Sequence, residues 1–312
     1  MDIRRVAIVG TGVIGASWAT HFLAKGLQVV ATDPAPGAEQ SLRALVAGQW
    51  KGASDLGAAD GASQENLRFT ADLGEALKDA DFVQENGPER LEIKRAIFQA
   101  MDEAAKPGVV LSSSSSGIVI SEVQTACRKH PDRVLVGHPF NPPHLIPLVE
   151  VVGGKLTSPE AVSTALAFYR AVGKKPIHVR KEVKGHIANR LQAALWREAF
   201  GLVHNGIATV EDIDTAISHG PGVRWALLGP FLNLHLSGGA GGIKHVLDHL
   251  GPPMDEWMQD LFPTRLTDEV NAAAIKGVAE ETQGWDMDAV KRERDALLIN
   301  LLKGKAGAPN MP

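Results

Sequence analysis

Short runs of apolar, mostly β-branched residues recur through the first part of the chain, at Val6–Val9, Val29–Thr32, Leu67–Thr70, Phe82–Glu85, Val109–Ser112, Val134–Gly137, Leu148–Val152 and Ile177–Val179. Their length and composition predict strands. Longer stretches between them, such as Glu89–Ala105 and Pro159–Val172, have helical character. Strands separated by a dozen or more residues call for crossovers rather than hairpins. The pattern therefore predicts a parallel sheet covered by helices on both faces.

After Gly185 the period changes: Ile187, Leu191, Leu195 and Ala199 recur every four residues in a run free of Pro and Gly, the mark of an amphipathic helix. Further helices are predicted at Val210–Ser218, Gly242–His249, Asp268–Glu281 and Met287–Lys303. Gly220-Pro221-Gly222, Gly238-Gly239 and Pro252-Pro253 separate them, and the tail Gly304–Pro312 is expected to fray. Two domains are expected, residues 1–183 with the sheet and residues 184–312 all helical.

The chain has 312 residues, enough for two cores. With 44% hydrophobic and 22% charged residues it has the composition of a folded globular protein. Its net charge of −4 sets aside a nucleic-acid partner, which calls for a basic surface. Arg4-Arg5 followed by Val6-Ala7-Ile8-Val9 superficially matches the start of a signal peptide, but Gly10, Gly12 and Gly15 interrupt it. No apolar run of about 18 residues offers a membrane span. Cys127 is the sole cysteine, so an internal disulfide and a thiolate metal site are both excluded. A reducing, cytoplasmic setting without a metal is expected.

Chemistry enters at Gly10-Thr11-Gly12-Val13-Ile14-Gly15, which follows the first strand and opens a helix. In that context the first glycine permits a tight turn, the second lets a pyrophosphate approach the backbone, and the third lets the helix pack on the strand. The amides of Gly12, Val13 and Ile14 are placed to receive phosphates at the helix N-terminus. Asp33 at the end of the second strand is placed to accept from ribose hydroxyls. No Arg or Lys follows it before Arg43 to hold a 2′-phosphate, so NAD is expected rather than NADP. The first domain is thus predicted to be Rossmann-like.

In Val136-Gly137-His138-Pro139-Phe140-Asn141-Pro142-Pro143 a histidine stands at the carboxyl end of a strand, where open α/β sheets bind ligands. Glu150 lies farther on among apolar neighbours and needs a partner if buried. An imidazole oriented by such a carboxylate can accept a proton near neutral pH. Ser112–Ser116 end another strand, where hydroxyls can bond a cofactor or a substrate oxygen. A Ser-His-Glu hydrolase triad is disfavoured because the nucleophile-elbow pattern is missing.

Taken together, Gly10–Asp33, Pro88–Lys94, Val109–Val152 and Lys181–Gly229 resemble the L-3-hydroxyacyl-CoA dehydrogenase family, and within it the branch of L-carnitine dehydrogenase and λ-crystallin (L-gulonate 3-dehydrogenase). The likeness spans essentially the whole chain. It implies a Rossmann-like domain followed by an all-helical domain that forms a homodimer. It further implies His138 as the catalytic base, Glu150 as its carboxylate partner, Ser116 (with Ser115 beside it) as the active-site serine and Asn189 as the asparagine at the domain junction. Glu89, Lys94 and Asn141 correspond to cofactor-side residues.

Two departures bear on the substrate. The serine loop reads Ser114-Ser115-Ser116 where acyl-CoA enzymes of the family carry Asn-Thr-Ser, and Val223–Gly229 has no equivalent in them. The expected substrate is therefore a small L-3-hydroxy acid of the L-carnitine, L-gulonate or 3-hydroxybutyrate type, oxidised reversibly at C3 by NAD. Arg224 is a candidate clamp for its carboxylate and Trp225 an aromatic face for a quaternary ammonium. The alternatives are a short-chain 3-hydroxyacyl-CoA dehydrogenase and a crystallin-like dinucleotide binder without turnover.

Overall fold

The apolar runs become eight strands of one sheet in the computed structural model, which describes residues 3–310. They are β1 (Arg5–Val9), β2 (Gln28–Thr32), β3 (Leu67–Thr70), β4 (Phe82–Glu85), β5 (Val110–Ser113), β6 (Val134–Pro139), β7 (Leu148–Gly153) and β8 (Lys175–Val179). Their spatial order is β3-β2-β1-β4-β5-β6-β7-β8. The sheet is not wholly parallel: β7 runs antiparallel to β6, and β8 is parallel to β7. Residues 140–147 link β6 to β7 without a helix, so the chain turns back beside the strand it has just left. This reversal sets His138 directly opposite Glu150 in the ladder.

Each face of the sheet buries its own apolar cluster. On one side α1 (Val13–Ala24), α2 (Ala38–Asp55) and α6 (Pro159–Ala171) pack Trp18, Phe22, Leu42 and Phe168 against Val6, Ile8 and Phe82. The rings of Trp18 and Phe22 stack at 5.1 Å, and those of Phe82 and Phe168 lie 4.3 Å apart. Full burial of such side chains stabilises the fold by about 1.5–3 kcal/mol each. On the other side α3 (Leu73–Leu77), α4 (Leu91–Ala104) and α5 (Ile120–Gln124) cover Ala7, Val9, Val83 and Leu111 with Leu77, Phe98, Met101 and Val123. Alternate residues of β1 thus serve opposite faces, as the two-residue period of a strand requires.

Residues up to Arg190 form one compact unit and those from Leu191 a second. The division falls beyond the change of period near 184, because the backbone of Ile187 and Ala188 is bonded to Glu150 of the sheet. Beyond β8 come α7 (Ala188–His204), α8 (Val210–His219), α9 (Pro221–Trp225), α10 (Pro230–Ser237), α11 (Gly242–Asp260), α12 (Asp268–Glu281) and α13 (Met287–Ala306).

Three local expectations change in this second unit. Pro252 and Pro253 lie inside α11 rather than ending it, since proline's fixed φ is itself helical and the helix forgoes two amide donors. Pro221 opens α9, where a missing N–H costs nothing, so Gly220-Pro221-Gly222 leads directly into a short helix that carries Arg224 and Trp225. Helix α13 also runs past Gly304, with Lys303 and Lys305 in its last turn, where cations suit the helix dipole.

Candidate active site

Because β1 to β6 are parallel, their carboxyl ends share one edge of the sheet, and the order reverses between β1 and β4. Gly10 follows β1 with φ +88, and a Cβ there would stand 2.8 Å from the Asn86 carbonyl carbon. A Cβ on Gly15 would collide with the Gly10 carbonyl oxygen. Gly12 differs: nothing lies within 4 Å of where its Cβ would be, and no side chain caps the α1 N-terminus it begins. Gly12 and Val13 are exposed and Ile14 is half-buried. The loop therefore leaves open space in front of uncapped helix amides, as a dinucleotide's pyrophosphate requires.

Asp33 directly follows β2. One carboxylate oxygen accepts from the Thr11 amide (2.8 Å) and Thr11 Oγ1 (3.1 Å), and the other from the Ala35 amide (2.9 Å). Asp33 and Arg43 line the same pocket of about 730 Å³, together with Pro34, Ala35 and Phe69. The Arg43 guanidinium is already engaged by Glu39, through Nε at 2.9 Å and Nη2 at 2.8 Å. A fixed carboxylate beside a neutralised arginine suits the ribose hydroxyls of NAD and opposes a 2′-phosphate.

Across the edge, His138 Nδ1 donates to Glu150 Oε2 at 2.9 Å, both side chains being buried. The other oxygen of Glu150 accepts from the amides of Ile187 (2.8 Å) and Ala188 (3.0 Å). Burial by itself would raise the Glu150 carboxyl, but the bonds from His138, Ala188 and Ile187 outweigh it and hold the carboxyl below its ordinary range. A carboxylate on Nδ1 keeps the proton there and leaves Nε2 as the basic nitrogen. Gly137 permits this strand to pack closely, since a Cβ there would overlap the Tyr169 hydroxyl and Ser112.

The serine loop after β5 is held by carboxylates. Ser113 Oγ donates to Glu85 Oε2 at 2.6 Å, and Ser115 Oγ donates to Glu89 Oε1 at 2.6 Å while accepting from the Ile118 amide. Glu89 also takes the amides of Ser116 (3.1 Å) and Gly117 (3.0 Å). Burial raises its carboxyl, but the Ser115 hydroxyl, Lys94 and the loop amides bring it below the usual range. Lys94 is buried and bonds both oxygens of Glu85, at 2.9 and 3.0 Å, and lies 3.6 Å from Glu89. The expected active-site serine, Ser116, is exposed, and its hydroxyl makes no hydrogen bond among the described residues. The carbonyl of the neighbouring Ser115 accepts from His186 Nε2 at 3.1 Å, and the His186 ring lies 5.3 Å from that of His138.

Asn189 is half-buried in the first turn of α7, directly after the amides that hold Glu150. Asn141 is exposed, and its peptide bond to Pro142 is cis. Arg224 and Trp225 are exposed on α9 of the second unit, and Arg224 has no carboxylate partner among the described residues. No group of His, Cys, Asp and Glu suited to a metal occurs among the described residues, and none of their helices is long and apolar enough to cross a membrane.

Sequence reasoning missed several members of this site. Glu85 is the carboxylate that fixes Lys94, and Gln84 and Tyr169 join Ser112 in a buried cluster beneath the serine loop. Gln84 Nε2 donates to Ser114 Oγ (2.8 Å) and to the Gly137 carbonyl (3.2 Å), joining β4 to the serine loop and to β6. The sequence signal for Glu85 and Gln84 was polar residues ending an otherwise apolar strand, and Tyr169, on α6, had none.

The family model of the 3-hydroxyacyl-CoA dehydrogenase NAD binding domain matches residues 5–183, and that of the 3-hydroxyacyl-CoA dehydrogenase C-terminal domain matches residues 185–284. The chain is 49% identical over 308 residues to L-carnitine dehydrogenase of Streptomyces griseus, covering 99% of this chain and 92% of that one. It is 48% identical to L-carnitine dehydrogenase of Streptomyces coelicolor, covering 97% and 95%. Among solved structures it resembles 5-formyl-3-hydroxy-2-methylpyridine 4-carboxylic acid 5-dehydrogenase, an NAD+-dependent dismutase, with a TM-score of 0.84 and 33% identity over 97% of this chain and 100% of that one. With the open glycine loop, the Asp33 pocket and the matched NAD binding domain in agreement, the chain is an NAD-dependent dehydrogenase that belongs to the 3-hydroxyacyl-CoA dehydrogenase family.

Proposed function

We propose that this enzyme oxidises the 3-hydroxyl of a small, free L-3-hydroxy acid to the 3-keto acid, reversibly, with L-carnitine as the first substrate to test. The observation that carries the reading is the buried His138–Glu150 pair at the carboxyl ends of the strands, 2.9 Å apart with Nε2 left basic. The relatives named L-carnitine dehydrogenase, matched over nearly the full chain, support the choice of substrate.

In this mechanism His138 Nε2 takes the hydroxyl proton as C3 is oxidised and returns it in the reverse direction. NAD, when bound, supplies the acceptor for the hydride from C3. Glu150 stabilises the imidazolium formed, and its two amide bonds keep it from turning away. The serine loop and Asn189 orient the substrate oxygen, which lowers the entropic cost of reaching the reactive geometry. Ser116 takes that role in this reading, since its hydroxyl is exposed and free of bonds among the described residues, whereas the Ser115 hydroxyl already donates to Glu89 and accepts from the Ile118 amide. Glu89, Lys94 and Asn141 border the cofactor, and Gly10, Gly12, Val13, Ile14, Gly15 and Asp33 hold it. On the second unit, Arg224 as a clamp for a carboxylate and Trp225 as an aromatic face for an ammonium group are the candidate substrate residues.

The working arrangement in this reading is an NAD-binding domain of residues 1–183 and a helical domain of residues 184–312, paired with a second copy through the helices. Trp196, Trp225, Phe231, Trp257, Leu266, Ile275 and Leu297 are all exposed on the second unit, more apolar surface than scattered exposure accounts for. The buried Cys127 thiol, pushed up to about 12 by burial, is inert and suits a cytoplasmic setting.

NADH formation measured with L-carnitine, L-gulonate, 3-hydroxybutyrate and 3-hydroxybutyryl-CoA tests the substrate. A kcat/KM for the CoA thioester a hundredfold above every free acid overturns the free-acid reading. Sedimentation at micromolar concentration should give a dimer, and a monomer overturns the pairing.

A further inference from the structure

His186 carries two costs that a packing residue would avoid. It is the one residue other than glycine with a positive φ among the described residues, at +49, a region that favours glycine. Its side chain is 3% exposed, and Nδ1 is buried without a hydrogen-bond partner. A phenylalanine would fill the same space without the orphaned nitrogen, and a glycine would remove the backbone strain. Both costs persist beside the reacting groups, where strain and unmet polar atoms concentrate for functional reasons.

What the residue accomplishes is visible in its bonds. Nε2 meets the Ser115 carbonyl at 3.1 Å, and a carbonyl only accepts, so Nε2 carries a proton; Nδ1, buried with no acceptor to take one, holds a lone pair. The left-handed turn at Gly185 (φ +76) and His186 aims the next two amides at Glu150. One residue thus joins the serine loop after β5 to the His138–Glu150 pair on β6 and β7.

We propose that His186 is a positioning residue for the dehydrogenase reaction: as a neutral imidazole it pins the Ser115 loop and locks the turn whose amides restrain Glu150. The inference rests on the assignment of His138 as base. The charged or titratable groups that face the ring are His138, Glu150 and Glu89. Burial comes first in holding its pKa below the ordinary imidazole value, and His138 adds to this; the Ser115 carbonyl, Glu150 and Glu89 oppose it without reversing it. A cation here would stand against the imidazolium formed at His138 during oxidation, so neutrality serves the reaction.

The test compares wild type with His186→Gln, His186→Leu and His186→Gly in the full-length enzyme. His186→Leu removes the bond to Ser115, and His186→Gly also relieves the backbone, so a loss common to both belongs to the imidazole. Each should lower kcat about 10- to 100-fold while NADH binding, followed by fluorescence, stays within about twofold. His186→Gln, which keeps a donor for the Ser115 carbonyl, should recover part of the loss. With the turn loosened, Glu150 loses amide donors and draws harder on the imidazolium, so the acid limb of kcat/KM should move up by about half a pH unit in His186→Leu. A folded His186→Leu or His186→Gly enzyme with wild-type kcat, or a lower kcat with an unmoved limb in every variant, overturns the proposal. Loss of the underlying reading looks different: wild type itself then forms no NADH from any hydroxy acid.

Discussion

Replacing Glu150 by Gln puts the proposed mechanism under the sharpest strain, because the substitution keeps size and shape while it removes the charge and changes what each atom can donate or accept. Glu150 receives three donors: His138 Nδ1 at 2.9 Å on one oxygen, and the amides of Ile187 at 2.8 Å and Ala188 at 3.0 Å on the other. A glutamine can turn its carbonyl to the two amides, but its NH₂ then points at His138 Nδ1. The imidazole must accept that bond, which favours the tautomer with its proton on Nε2 and makes the base-competent tautomer the minor one. The opposite rotamer sets NH₂ against two N–H groups. Either way one charge-assisted hydrogen bond is lost, worth about 1.5–3 kcal/mol. At 1.36 kcal/mol per factor of ten this gives a loss in kcat of roughly 10- to 100-fold. The acid limb of the kcat/KM profile should move to lower pH, because without the carboxylate the imidazolium is held less firmly. Initial rates of NADH formation from pH 5 to pH 10, with NADH affinity measured alongside, give both quantities. An enzyme with Glu150→Gln, wild-type kcat and an unmoved acid limb would refute the idea that the pair acts as base and carboxylate. His138→Ala should cost more, about 10²–10⁴-fold in kcat with NADH binding nearly intact.

Asp33 should make NAD preferred to NADP by at least about tenfold in kcat/KM, and Asp33→Ala should narrow the ratio; equal specificity constants in wild type would contradict the reading of its pocket. For the serine loop, Ser116→Ala should lower kcat more than Ser115→Ala, since the Ser116 hydroxyl is exposed and unbonded while the Ser115 hydroxyl is spent on Glu89; the reverse order makes Ser115 the active serine. Lys174 is buried over Trp18 and bonds the Ile146 carbonyl at 3.0 Å, and burial, with Lys25 adding to it, lowers its ammonium to about 7. The folded value lies below the unfolded one, so the unfolded chain binds the extra proton above pH 7, and stability relative to Lys174→Met should rise from pH 7 to 9.5. A difference in Tm between the two that stays flat over that range would show that Lys174 keeps its proton.

Much of the molecule was written in local pattern. The strands of β1 to β6, the glycine loop with Asp33 behind it, and the break toward helices all follow from spacing, because periodicity reports which face of an element is buried and glycine reports where a side chain has no room. His138 and Glu150 were legible as a strand-end imidazole and an acid among apolar neighbours, and the resemblance supplied their roles. Only the tertiary structure decided how they meet. The reversal of β7 that sets the two opposite each other is a choice of strand direction, which an apolar run of five or six residues does not encode. The links through His186 to Ser115, from Lys94 to Glu85 and from Gln84 to Tyr169 join residues far apart or unremarkable in the chain, and a hydrogen bond depends on where the folded backbone brings two atoms. The helical unit makes the same point: its amphipathic periods announce helices, but sequence alone does not say that aromatic faces such as Trp257 and Phe231 remain uncovered once those helices have packed on one another, because coverage is a property of the packed surface and not of any one segment.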